Sequence, residues 1–139
     1  MNMRSLILAS FIVLVFLVPT RAEQVVFNAY PLTRVTSSAD STSRESLTES
    51  KGNEYRVIIT KEGNNYLWAT RENRHLLHTI SGAFHLFIDS RGGGYIKIFD
   101  LDLFPKSPRD QGPRYRYMEH MTMHLGSVTY WGAAERFEP

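Results

Sequence analysis

Glu119-His120-Met121-Thr122-Met123-His124 sets two histidines four residues apart beside a carboxylate, the residue types of a metal site or of an acid–base pair. Backbone geometry decides what this spacing is worth. On a helix His120 and His124 would stand one turn apart and could share an ion, whereas on a strand four residues span ~13 Å and the pair cannot chelate one metal. Tyr117, Glu119, Met121 and Met123 alternate with Met118, His120, Thr122 and His124, so a strand fits at least as well as a helix. The order also differs from the metalloprotease pattern, in which glutamate follows the first histidine. The expectation is therefore no metal and no cofactor, with His120 and His124 as the only candidate ligands. His78, His85, Glu119, His120 and His124 remain the candidate catalytic set, should separate strands bring histidines together with Glu119 as general base.

A second group has binding chemistry. Arg71-Glu72-Asn73-Arg74 follows Trp68, and two guanidinium groups beside an indole suit a carboxylate or a sugar. Tyr95, Tyr117, Tyr130 and Trp131 combine large contact area with a polar handle, so Trp68, Arg71, Arg74, Tyr95, Tyr117, Tyr130 and Trp131 form the candidate ligand-binding set. Gly92-Gly93-Gly94 leads into a strand, unlike a phosphate cradle, which opens a helix; it reads as a hairpin turn. No nucleophile elbow, Cys/His pair or nucleotide fingerprint is present.

The elements that must position these residues are short β-branched and aromatic runs parted by turn formers. Tyr55–Thr60 and Tyr66–Thr70 flank Lys61-Glu62-Gly63-Asn64-Asn65 and predict a hairpin. His75–Ser81 predicts a third strand or a short helical turn. Phe84, Leu86 and Ile88, sharing one side of a strand, and Ile96 with Ile98 on the next strand of a hairpin, are the predicted centre of the core. Asp100–Pro113 carries three prolines and predicts a long surface loop of the kind that often carries binding residues. Arg114–Arg136 holds one or two more strands, with Ser127–Trp131 the clearest. About six antiparallel strands and no periodic helix predict an all-β fold, a small barrel or sandwich at residues 54–139. That number falls short of the eight strands a membrane barrel requires.

The N-terminal part predicts the compartment. Arg4, the apolar run Leu6–Val18 and small residues before Glu23 read as a secretory signal peptide over residues 1–22, shorter in its apolar run than the ~20 residues of a membrane span. Residues 23–53 are expected to be a flexible segment with an edge strand at 25–30, because Thr33–Ser50 is dominated by Ser and Thr and offers little apolar surface to offset the entropy of ordering. The formal net charge of +2 equals the contribution of Arg4 and Arg21, so the remainder is balanced and a nucleic-acid partner is not expected. The chain has no cysteine and must fold by packing alone.

The function expected from these readings is a secreted or periplasmic, non-enzymatic β-module that binds a small ligand, glycan or protein, with no transmembrane segment once the leader is removed. A small histidine- and glutamate-dependent hydrolase or isomerase is the alternative. An envelope-associated structural component is a further one.

Overall fold

The computed structural model describes residues 22–103 and 112–139. The predicted leader, and residues 104–111 of the predicted surface loop, lie outside the described residues. Nine strands follow in chain order: β1 (Gln24–Ser38), β2 (Thr42–Ser46), β3 (Val57–Glu62), β4 (Asn65–Trp68), β5 (Arg74–Ser81), β6 (Phe84–Asp89), β7 (Gly94–Asp100), β8 (Tyr115–Met123) and β9 (Gly126–Phe137), with the short helix α1 (Glu49–Glu54) between β2 and β3. Successive strands from β3 to β9 pair antiparallel, and β1 pairs with both β3 and β9. Eight strands thus close a barrel, and β2 is appended outside it.

Closure is why more strands form than the sequence predicts. Thr33–Ser38, within the segment expected to be flexible, pairs with Gly126–Trp131 of β9 on one side, and Thr33–Ser37 pairs with Thr42–Ser46 of β2 on the other. The Ser/Thr side chains supply almost no core there. Backbone hydrogen bonds to two neighbouring strands satisfy the amides instead, which composition cannot foresee. On its other edge β1 changes partner: Gln24–Ala29 pairs with β3, the second half with β2. Pro31, which has no amide hydrogen, falls in the gap between those two pairings. Register shifts at Val25/Phe27, Asn28/Ala29 and Pro31/Thr33 bend β1 enough to close the ring.

The lumen is filled by Phe27, Ile59, Trp68, Leu76, Phe87, Ile96, Ile98, Tyr117 and Phe137, all buried. Rings meet edge to face, Phe27 with Tyr117 at 5.5 Å and Phe27 with Phe137 at 6.0 Å between centroids. Ile96 and Ile98 take the core positions predicted for them. Phe84, Leu86 and Ile88 do not: β6 turns His85, Phe87 and Asp89 inward, with Phe87 and Asp89 fully buried, and puts the more apolar row on the outer wall. The register Phe87↔Ile96 fixes this, since inward Ile96 demands an inward partner, and a shift of one residue would reverse every side chain.

Eight strands meet the minimum for a membrane barrel, so the strand count does not exclude one as expected. Strand length and lumen argue against it: β3, β4 and β6 have six, four and six residues, against the ~9–11 that cross a bilayer, and the lumen is apolar rather than polar. Among the described residues no helix is long and apolar enough to cross a membrane.

Gly132 marks where wall and core meet most closely, since a Cβ there would fall 2.1 Å from the Tyr30 carbonyl oxygen and 2.7 Å from Cε1 of Tyr117. Replacing Gly132 with alanine is expected to cost about 1–3 kcal/mol in urea unfolding, because neither the paired strand nor the enclosed ring can retreat. Adjacent leucines test the assignment of faces. Leu76 is 6% exposed and Leu77 63% exposed, so Leu76→Ala should lose about 2–5 kcal/mol and Leu77→Ala about 0.5 kcal/mol or less by the same measurement.

Candidate ligand-binding cup

The two ends of the barrel differ in chemistry. At the end marked by Ser38, Trp68, Gly94 and Gly126, a cup of about 530 Å³ is lined by Arg34, Trp68, Arg71, Arg74, Met121 and Tyr130, among others. Its three guanidinium groups come from different elements.

Arg71 lies in the β4–β5 connection, where Glu72 (φ 57°) and Asn73 (φ 53°) both adopt the left-handed conformation. Glutamate gains little there, unlike asparagine, so the turn stores strain. Within it the Arg71 amide donates to the Trp68 carbonyl (3.0 Å) and the Arg74 amide to the Arg71 carbonyl (3.2 Å). Arg71 extends inward, its guanidinium 5.9 Å from the Trp68 ring centre, with Nη1 donating to the Thr70 carbonyl (3.0 Å) and Nε to Sδ of Met121 (3.1 Å). Nη2 lies 2.8 Å from Oε1 of Glu119.

Arg74 is held by Asp89, Nη1 to Oδ2 at 3.0 Å. Asp89 also accepts from the amides of Arg91 (2.9 Å) and Gly93 (3.1 Å). Burial opposes ionisation of Asp89, but these amides and Arg74 outweigh it and hold the carboxyl below its usual range. Gly93 is required for this packing, since a Cβ would fall 2.5 Å from both Nη1 of Arg74 and Oδ2 of Asp89. Arg34, from β1, pairs with Glu45 of β2 at 2.7 Å and donates to the Tyr55 hydroxyl at 3.1 Å. The appended strand thereby supplies a counter-ion to the cup.

Glu119 does not line the cup but lies enclosed behind Arg71, which does. Its side chain is 0% exposed, and neither oxygen receives an aligned hydrogen bond among the described residues; the contact with Arg71 is close but oblique. Trp68 Nε1 and the Tyr117 hydroxyl are likewise buried with no hydrogen-bond partner among the described residues. Burial pushes the Glu119 carboxyl up to about 7, against the pull of Arg71. Burial and the neighbouring Glu119 raise the Tyr117 hydroxyl as well.

The opposite end holds the histidine pair. His78 Nε2 and His85 Nδ1 are 2.9 Å apart, with ring planes 5° apart and centroids separated by 5.2 Å. Parallel rings that far apart with nitrogens so close lie end to end in one plane, so the contact is a head-on hydrogen bond and leaves no room for a metal between them. Phe87 stacks on His78 at 4.4 Å and Phe137 meets His85 edge-on at 4.7 Å. Burial lowers both histidines from their ordinary range.

The candidate residues therefore separate into three places. Trp68, Arg71, Arg74 and Tyr130 line the cup, whereas Tyr117 is enclosed against Phe27 and borders, with Trp131, a separate cleft. Tyr95 and Trp131 face outward instead, Tyr95 against His120 (5.3 Å between rings) and Trp131 46% exposed. His120 is on the outer wall of β8, within 2.9 Å of Thr129 Oγ1, and His124 lies in the β8–β9 turn, so neither joins Glu119, which the same strand turns inward. Among the described residues no group of three or more His, Cys, Asp or Glu could hold a metal. Arg34, Met121 and Met123 were not among the candidates. The period-two alternation that aligns Met121 and Met123 with Tyr117 and Glu119 would have found the methionines; nothing local marks Arg34.

Comparison with protein-family models, curated proteins and solved structures finds no match for this chain. The functional reading rests on the cup itself.

Proton linkage follows from the Glu119 carboxyl. Folded Glu119 keeps a proton that the unfolded chain releases above pH 4.5, so its contribution to stability declines as pH rises from 4.5 to about 7 and is level beyond. His78 and His85 act in the opposite sense, their lowered proton affinity destabilising the fold as pH falls below 6.5. Urea unfolding across pH 5–8 should therefore show the Glu119→Gln variant gaining on the wild type as pH rises to about 7, with a constant difference above.

Proposed function

We propose that this chain is a secreted or periplasmic, non-enzymatic binding module whose barrel mouth takes a small molecule with an anionic group and an apolar or aromatic body. The observation that carries this reading is the convergence of Arg34, Arg71 and Arg74 with Trp68, Tyr130, Met121 and Met123 on one concave site. Guanidinium forks suit carboxylates and other oxyanions, and the indole, phenol and thioether groups supply adaptable apolar contact. The compartment rests on the sequence reading of residues 1–22. The loop expected at Asp100–Pro113 starts from the opposite end of the barrel, at the end of β7, and its residues 104–111 lie outside the described residues.

One observation favours the alternative, a Glu119-dependent hydrolase or isomerase. A carboxyl titrating near neutrality in an enclosed site can serve as general acid or base. The histidines proposed to assist it stand on the outer wall, in a turn and at the other end of the barrel, so the binding reading is the stronger. For an envelope component assembling through a strand edge, barrel closure leaves β2 as the strand without a second neighbour.

The test is direct because one tryptophan lies in the cup and the other outside. In a Trp131→Phe background the remaining indole is Trp68, and benzoate is expected to change its emission saturably. Arg71→Ala should weaken that binding about tenfold or more, the scale of a lost charge-assisted hydrogen bond. Unchanged affinity in Arg71→Ala would remove the cup as the site.

A further inference from the structure

The three arginines of the cup differ in how their counter-ions are kept. Asp89, opposite Arg74, accepts two backbone amides besides the guanidinium, and Glu45, opposite Arg34, is partly exposed and also bound by Lys51 at 2.8 Å. Both carboxylates thus have polar partners besides their arginine. Glu119 has no such additional support among the described residues: it is enclosed, and Arg71 is the one described cation paired with it. The groups around it are Ile96 from β7, Tyr117 and Met121 from β8, and Tyr130 from β9, whose hydroxyl engages Arg34, while Trp68 from β4 lies against the same Arg71. Apart from Arg71, these neighbours are uncharged near neutral pH. Arg71 meanwhile lines the cup from above, 23% exposed.

We propose, building on the anion-binding reading of the cup, that Arg71 is shared between Glu119 below and the bound anion above, so that capture of an anion is coupled to uptake of one proton by the Glu119 carboxylate. A ligand oxyanion that engages the Arg71 N–H groups draws the guanidinium away from Glu119 and adds a second negative charge nearby. Both effects favour the neutral acid, because Arg71 is the group that supports the carboxylate against burial. The proton comes from solvent and forms an O–H bond on a Glu119 oxygen; no other bond changes. The ligand class is thereby narrowed to anions that bind more tightly as pH falls through neutrality while remaining ionised themselves.

Calorimetric titration of the wild-type protein with benzoate, in two buffers of different ionisation enthalpy, reads the proton count. Because Glu119 is about half ionised at pH 7, uptake of about half a proton per benzoate is expected there, rising toward one at pH 8. Affinity should fall by up to about tenfold per pH unit above neutrality. Glu119→Gln should bind without proton exchange and without that pH dependence, whereas Arg34→Ala should bind more weakly with the uptake retained. Carbon-13 detection of the Glu119 carboxyl in the wild type, with and without benzoate, gives the same answer with no variant: its titration should move to higher pH on binding. Benzoate binding with no proton exchange, or an unmoved carboxyl titration, overturns the coupling and leaves the cup reading standing. Absence of benzoate binding overturns both.

Discussion

Antiparallel pairing of β1 with β9 is the constraint on which the other features depend. These strands are the first and last of the described chain, and their register runs from Phe27↔Phe137 to Ser38↔Gly126. Without it the sheet would have two open edges and a concave face exposed to water. With it, every inward side chain of eight strands meets others across a lumen, and the row chosen on one strand dictates the row on the next. Local hairpins form from turn chemistry alone, but this long-range pairing must overcome the loop-closure entropy of nearly the whole domain.

Closure also creates the electrostatic problem that makes the cup distinctive. The β8 row Tyr117, Glu119 and Met121 must point inward once Ile96 and Ile98 do, because Ile96 pairs with Glu119 and Ile98 with Tyr117. A carboxyl is thereby enclosed among Ile, Tyr and Met side chains. A buried charge is costly unless it is paired and hydrogen bonded, and here the response is partial: Arg71 approaches from a strained turn, and the carboxyl retains its proton more readily. Asp89 and Asp100, buried near the two ends of the barrel, show the contrasting solution. Asp100 takes two guanidinium bonds from Arg114, at 3.1 and 2.9 Å, as well as the Asp102 amide at 3.1 Å, and stays ionised.

The ends of the barrel thus separate two kinds of titratable group. The arginine cup with Glu119 responds to charge brought from outside, while His78 and His85 are held neutral by burial and bonded to each other. Their pH windows act in opposite directions on stability.

Sequence patterning by itself determined the strand-rich character, the hairpins around Gly63 and Gly92–Gly94, the inward places of Ile96 and Ile98, and the proximity of Trp68, Arg71 and Arg74. These follow from turn propensity and period-two alternation, which are local. Only tertiary structure decided which face of β6 is inside, since Phe84, Leu86 and Ile88 are the more apolar row and yet lose to His85, Phe87 and Asp89. It likewise decided that Thr33–Ser38 and Thr42–Ser46 are sheet, that Arg34 reaches the same cup as Arg71, and that the histidines fall at different places. The physical reason is common to all of these. A barrel wall admits one register, set by the pairing of β1 with β9 and transmitted strand by strand, and that register outranks the preference of any single row of side chains.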